Sequence, residues 1–211
     1  MNILSKEEII QITDSINPEE QIKHIEAAFE AYSNGNANVP PVGYLGFDNP
    51  PGDVHIKFGY IKDDPYYVIK IASGFYNNAE SNLPVGNGMM LAFDAQTGMT
   101  KCLLQDEGFL TDLRTSLAGA IAGKYLGPKT INRIGIIGTG VQARLQLISL
   151  GYVSSCKDVL VWGRDKDKAE KYKLDMEGAG FNVEAVNAIE EVPANCNLIV
   201  TTTPSQSALL K

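Results

Sequence analysis

The residues best placed to do chemistry are a glycine turn, a lysine inside an apolar run, one arginine, and a His-x-Lys pair. Gly138-Thr139-Gly140-Val141-Gln142-Ala143 follows directly on Ile134-Gly135-Ile136-Ile137, and residues 144–152 then read as a helix. Strand, tight turn, helix is the order that a dinucleotide site needs. Gly138 permits the turn, Gly140 lets backbone come close to a pyrophosphate, and Ala143 is small enough for helix to pack on strand. The helix start offers free N–H groups and the positive end of its dipole to phosphates. A second strand, residues 158–162, ends about twenty residues further on, where the side chain that reads the adenosine ribose stands. That place holds Gly163-Arg164-Asp165.

Lys70 lies mid-strand in Val68-Ile69-Lys70-Ile71-Ala72. Buried, it would be costly unless paired, and could polarise a carbonyl or imine or pass a proton. By strand alternation it could equally face solvent. Arg114 is the first arginine of the chain and follows Asp106, Glu107 and Asp112 at the start of a helix. It could grip a carboxylate through two parallel hydrogen bonds, or pair with a neighbouring acid. His55 and Lys57 share one strand face. Each alone reads as a solvated strand residue. No metal site is expected: there are two histidines, and His24 has no partner at metal-ligand spacing. Ser205 and Ser207 lack the strand-turn-helix setting of a nucleophile.

These residues need elements to position them. Ser5-Lys6-Glu7-Glu8 is a capping box, and Asn17 with Pro18 starts a second helix that Gly35 ends. Residues 36–52, rich in Pro, Gly and Asn, read as a long loop. Residues 54–61 and 66–72 alternate and form a hairpin, and 88–94 with 99–105 form another. Residues 111–125 are helical, with small Ala118, Gly119, Ala122 and Gly123 for close packing. Beyond the glycine turn the pattern is strictly α/β: strands at 158–162, 182–186 and 197–203, and helices at 166–178 and 187–192. The fold class is therefore α/β, an N-terminal α+β domain over residues 1–113 followed by a Rossmann doubly wound domain over 114–211. A full six-stranded sheet needs about two more βα units of ~30 residues, so the second domain is expected to be incomplete at its C-terminal end.

Composition narrows the partners. A net charge of −7 with no basic cluster argues against nucleic acid and anionic membranes. No run is apolar enough to span a bilayer, and the first residues lack a signal peptide's apolar region. Cys102, Cys156 and Cys196 show no CxxC spacing and fit a reducing cytoplasm.

The ordered set Leu110-Thr111-Asp112-Leu113-Arg114-Thr115-Ser116-Leu117-Ala118, Ala122-Gly123-Lys124-Tyr125-Leu126 and Ile136-Ile137-Gly138-Thr139-Gly140-Val141-Gln142-Ala143 resembles the ornithine cyclodeaminase/mu-crystallin family. So do Val68-Ile69-Lys70-Ile71 before Asn77-Asn78, and Val161-Trp162-Gly163-Arg164. The resemblance implies an N-terminal substrate and dimerisation domain, a homodimer, and NAD(P) chemistry on a small amino, imino or 2-oxo acid. Imine reduction, amine oxidation and cyclodeamination all occur in the family. It gives Lys70 the substrate, Arg114 the substrate carboxylate and cofactor, Val141 and Gln142 the pyrophosphate, and Thr202 and Thr203 an approach to the cofactor. Three departures accompany it. Val42, not arginine, follows Pro40-Pro41, which leaves Lys57 or His55 as a second carboxylate grip. Gly163 replaces the acid of NAD-using cyclodeaminases, and Arg164 can meet a 2′-phosphate, which favours NADP, while Asp165 keeps NAD open. The family's catalytic aspartate lies beyond residue 211, so a non-catalytic NAD(P)-binding protein, a disabled homologue, or a fragment stable only in a dimer is the alternative to an enzyme.

Overall fold

The computed structural model describes residues 1–210. The chain divides into two compact units, Met1–Thr111 and Asp112–Lys211.

The first unit opens with β1 (Asn2–Leu4), followed by α1 (Lys6–Ser15) and α2 (Pro18–Ser33). Ser5 and Glu8 close the capping box reciprocally, and Asn17 caps α2 with Pro18 in the first turn. A seven-stranded sheet follows in the order β1-β7-β6-β5-β4-β2, with β3 also on β4. Its strands are β2 (Ala37–Asn38), β3 (Gly43–Asp48), β4 (Pro51–Ile61), β5 (Tyr66–Phe75), β6 (Gly86–Asp94) and β7 (Thr100–Leu104). β1 joins β7 in parallel, and every other pairing is antiparallel.

Residues 36–52, expected as a loop, are largely strand. β2 pairs with the last residues of β4 and β3 with its first six, so both occupy one edge of a long strand. Tyr44, Leu45 and Phe47 suit a pleated surface. Pro40 and Pro41 fall in the gap between β2 and β3, where no ladder hydrogen bond is needed. The turn residues marked where the chain reverses, but said nothing of what β4's open edge could recruit.

Register sorts this sheet into two faces. Directly opposed residues lie on the same side. One face carries the rows Ile56–Ile71–Met89, Phe58–Ile69–Leu91–Leu103 and Tyr60–Tyr67–Phe93. The Tyr67 and Phe93 rings stack 4.8 Å apart. The other face carries His55–Ala72–Gly88 and Lys57–Lys70–Met90–Leu104.

The second unit holds four parallel strands, β8 (Ile134–Ile137), β9 (Asp158–Trp162), β10 (Asn182–Ala185) and β11 (Leu198–Thr201), in the order β10-β9-β8-β11. Its helices are α4 (Val141–Leu150), α5 (Lys166–Gly178) and α6 (Glu191–Asn195), and α3 (Phe109–Leu126) runs into it from the first unit. Ile134, Ile136, Val159 and Val161 pack with Leu147, Tyr172 and Met176 in one core cluster, and Ile137, Leu160 and Val192 form another. A Cβ on Gly123 would stand 2.6 Å from a Leu150 methyl, so the small stripe of α3 does seat α4. Ser116 and Ser149 share a buried hydrogen bond of 3.0 Å between the same two helices.

Two helix starts differ from expectation by three residues or more. α4 starts at Val141, not at residue 144, because Gly140 itself is the N-cap. α6 starts at Glu191 rather than 187. Pro193 has no N–H to give and fits only the first turn of a helix, which fixes where this one can begin. Among the described residues no helix is long and apolar enough to cross a membrane.

Candidate functional site

In the second unit β8 and β11 are neighbours although β9 and β10 intervene in sequence, and β9 lies on the other side of β8. Strand order therefore reverses at β8, and ligands of open parallel sheets bind at such a switch point, outside the carboxyl ends of the strands. A cavity of about 360 Å³ opens there, lined by Gly138, Thr139, Gly140, Trp162, Gly163, Arg164, Thr202, Thr203 and their neighbours.

The two turn glycines do different work. Gly138 has φ +120°, and a Cβ there would stand 2.6 Å from Thr202 Oγ1 and 2.8 Å from its carbonyl oxygen. It is held by its N–H bond to the Trp162 carbonyl, 2.9 Å. Gly140 has an ordinary φ of −84° and no neighbour within 4 Å of a Cβ. No side chain caps α4, so its first N–H groups face the space that a side chain at Gly140 would fill. This cradle fits a pyrophosphate. Arg144, which the sequence reading passed over, braces the turn: its guanidinium donates to the Thr139 and Gly140 carbonyls and pairs with Asp175. It also lies over the ring of Tyr172. The signal was available, since Arg144 is on the first turn of the helix that the glycine motif opens.

Val141 is exposed at the same turn. The Gln142 side chain points elsewhere: its amide donates to the Asp112 carbonyl at 3.1 Å and carboxylate at 3.0 Å. Only its backbone remains for a phosphate. Thr202 backs Gly138, and its N–H bonds the Ile137 carbonyl at 2.8 Å. Thr203 lines the cavity beside it.

At the end of β9 a Cβ on Gly163 would stand 2.6 Å from the Thr139 methyl. An acid at this position would need the Thr139 side chain to turn aside. Asp165 accepts the Lys168 N–H at 3.1 Å as N-cap of α5, so its carboxylate serves the helix. Arg164 is exposed and borders both the large cavity and a smaller one of about 200 Å³ shared with Lys166 and Asn187.

In the first unit Lys70 is half-buried, and its ammonium donates to Thr111 Oγ1 at 3.2 Å. Lys57 stands directly across from it on β4. Two like charges opposed across a ladder repel one another. His55 lies two residues along on the same face, its Nε2 3.3 Å from Asp53 Oδ1. Arg114 is exposed on α3, one helical turn after Thr111. A buried carboxylate not singled out from the sequence, Asp106, is 1% exposed and accepts the Leu110 N–H at the start of that helix.

A four-stranded parallel sheet with helix starts at its switch point, a glycine cradle and an open ribose end is the framework of a dinucleotide-binding protein. The description of the ornithine cyclodeaminase/mu-crystallin family matches residues 3–211, and the chain belongs to that family. An uncharacterized cyclodeaminase of Sinorhizobium fredii is 37% identical over 213 residues, which cover 100% of this chain and 63% of that one. The structure of Thermococcus litoralis Δ1-pyrroline-2-carboxylate reductase with NADH and L-proline superposes with a TM-score of 0.87 at 29% identity, covering 95% of this chain and 61% of that one. An archaeal alanine dehydrogenase dimer with bound NAD gives 0.88 at 30% identity, covering 98% and 62%. The chain thus spans about three fifths of the length of these relatives.

Proposed function

We propose that this chain carries the cofactor cradle and the carboxylate-binding residues of an NAD(P)-dependent enzyme acting on a small 2-amino or 2-imino acid. The observation that carries the reading is the open cradle at Gly140 above an uncapped helix, on a parallel sheet with its switch point at β8. Relatives of similar fold hold NADH with L-proline, or NAD. Gly138, Gly140, Val141 and the Gln142 backbone would hold the pyrophosphate, Gly163 and Arg164 the adenosine end, and Thr202 and Thr203 the strand end beside it. Bound there, the nicotinamide supplies or accepts the hydride at the substrate carbon. Lys70 and Arg114 bind the substrate carboxylate, Lys57 adds charge beside Lys70, and the Lys70 ammonium polarises the C=N bond and holds its proton.

The cofactor is NADP at least as readily as NAD. Gly163 carries no acid and has the Thr139 methyl beside it, Asp165 caps α5, and Arg164 is free to meet a 2′-phosphate. The apolar face of the first unit's sheet is the dimer face.

Fluorescence titration with NADPH and NADH tests the cradle: Gly140→Val should abolish binding, and parental binding by that variant would place the cofactor elsewhere. Titration with a 2-oxo acid in the presence of NADPH tests the rest. Lys70→Met and Arg114→Met should each weaken binding by roughly 10- to 150-fold, the loss of one charge-assisted hydrogen bond. Unchanged affinity in both would remove them from the site.

A further inference from the structure

Beside the two lysines, the same sheet face carries a second polar group that the proposed chemistry does not use. Asp53, His55 and Lys57 alternate along β4, so their side chains leave the sheet on one side. The Asp53 carboxylate takes a partner on each oxygen: His55 Nε2 at 3.3 Å on Oδ1 and the Tyr76 hydroxyl at 3.0 Å on Oδ2. Tyr44, paired with His55 across the ladder, sets its ring edge-on to the imidazole at 5.3 Å. The hydrogen bond to Asp53 holds the Tyr76 hydroxyl protonated to higher pH than usual, so Tyr76 remains a donor.

The neighbours of this group are small. His55 faces Ala72 and then Gly88, and Asp53 faces Gly74 and then Gly86. Nothing larger than a methyl group stands on those two rows of β5 and β6, so no side chain of these strands fills the face between Asp53 and the lysines. One strand repeat, about 6.8 Å, separates His55 from Lys57. That matches the distance from a carboxylate to a group two to four atoms along an amino-acid side chain.

We infer that His55, fixed by Asp53 and Tyr76, reads the side chain of a substrate whose carboxylate lies on Lys57 and Lys70, and selects side chains that bear a hydrogen-bond donor. The inference rests on the carboxylate reading proposed above. A carboxylate oxygen 3.3 Å from Nε2 favours the Nε2–H tautomer, which leaves Nδ1 as a bare acceptor. A hydroxyl or amino group on the substrate can donate to it. An alkyl side chain leaves it unpaired, and a side-chain carboxylate brings acceptor against acceptor, close to Asp53. Asp53 and Tyr76 are positioning residues, because they act through the imidazole.

His24 is the other histidine, so a ¹⁵N-labelled His24→Gln protein shows a single imidazole by NMR. The expected spectrum is that of the Nε2–H tautomer, lost in Asp53→Asn. Alanine, serine, ornithine and aspartate are then titrated in the presence of NADPH. Serine or ornithine should shift the Nδ1 resonance and bind roughly 2- to 10-fold more tightly than alanine, the range expected for one hydrogen bond to a half-exposed acceptor. His55→Leu should bind them all like alanine, whereas His55→Asn, whose carbonyl can accept near the Nδ1 position, should restore part of the preference. The far-UV circular dichroism spectrum and thermal midpoint should stay parental in each variant, which shows that they fold, and NADPH binding should be unchanged. Equal affinities for alanine and serine, or a preference for aspartate, would overturn the inference and leave the carboxylate reading standing. If none of the four bound, alanine included, the carboxylate reading would fall and the inference with it.

Discussion

Gly138 and Gly140 look alike in the motif, yet the structure gives them opposite mutational signatures. Gly138→Ala puts a side chain into a positive φ and against the Thr202 carbonyl. The backbone strain alone costs about 1–3 kcal/mol, and the contact adds to it, so a clear drop in thermal midpoint is expected. Gly140→Ala meets neither obstacle. Its melting curve should overlay the parent's, and with Gly140→Val only cofactor binding should suffer. A large loss of stability in Gly140→Ala would mean that the cradle is a packing feature. At the other end of the cofactor, Arg164→Ala should reduce NADPH affinity and leave NADH affinity nearly unchanged. The difference should shrink as salt rises, because an exposed Arg–phosphate contact is screened beyond about 10 Å at 0.1 M. A strong preference for NADH that ignores salt would refute the choice of NADP.

At the scale of elements, the hairpin between β6 and β7 depends on one carboxylate. Asp94 accepts the Gln96 and Thr97 N–H groups at 3.0 and 2.9 Å and pairs with Lys101 at 3.1 Å. The Thr97 backbone bond, then Lys101, hold its pKa well below the usual carboxylate range. The folded form thus binds its proton less readily than the unfolded chain does. The contribution to stability is present above the ordinary aspartate pKa and is lost as pH falls through that value towards the folded one. Chemical denaturation at descending pH should show the parent losing stability below about pH 4, with a smaller slope in Asp94→Asn. Identical slopes would mean that the turn holds without its charge. The packing of α3 on α4 makes a second case. Gly123→Leu inserts a side chain where the Leu150 methyl already stands, and overpacking of this kind costs about 1–3 kcal/mol.

For the whole molecule, the distribution of burial carries the argument. Among the described residues, Ile9 and Ile22 are the only buried apolar side chains of the first unit, and neither lies on a strand. Its sheet nevertheless presents apolar rows in which Phe58, Tyr60 and Met89 are 41%, 44% and 40% exposed. An apolar face of that extent on a large sheet suits the dimer proposed above, and the archaeal alanine dehydrogenase of similar fold is a dimer. Light scattering should give twice the chain mass at micromolar concentration. A Phe58→Glu/Met89→Glu double variant, which places charge on adjacent rows of that face, should shift it to monomer. A parent that is monomeric would overturn the proposed interface.

The sequence alone determined whatever depends on neighbours in the chain. The capping box at Ser5 and Glu8, the Pro18 start of α2, the hairpin at residues 62–65 and the strand-turn-helix at Gly138 are short-range patterns. Each reports its own backbone geometry. The parallel unit was legible for the same reason, since Ile134-Gly135-Ile136-Ile137 and Val159 to Val161 are buried on both faces and show it in their apolar runs. Only tertiary structure could decide which edges meet. The stretch 36–52 became strand because β4 offered an edge. Lys57 came to face Lys70 because of the β4–β5 register, and Asp53, His55 and Tyr76 joined because the chain folds back on itself. The surroundings of Gly163 and Asp165 likewise come from packing: the Thr139 methyl lies beside one, and the start of α5 takes the carboxylate of the other. A residue type advertises the chemistry it can do. Which group it meets depends on contacts between residues far apart in the chain, and local sequence does not encode those.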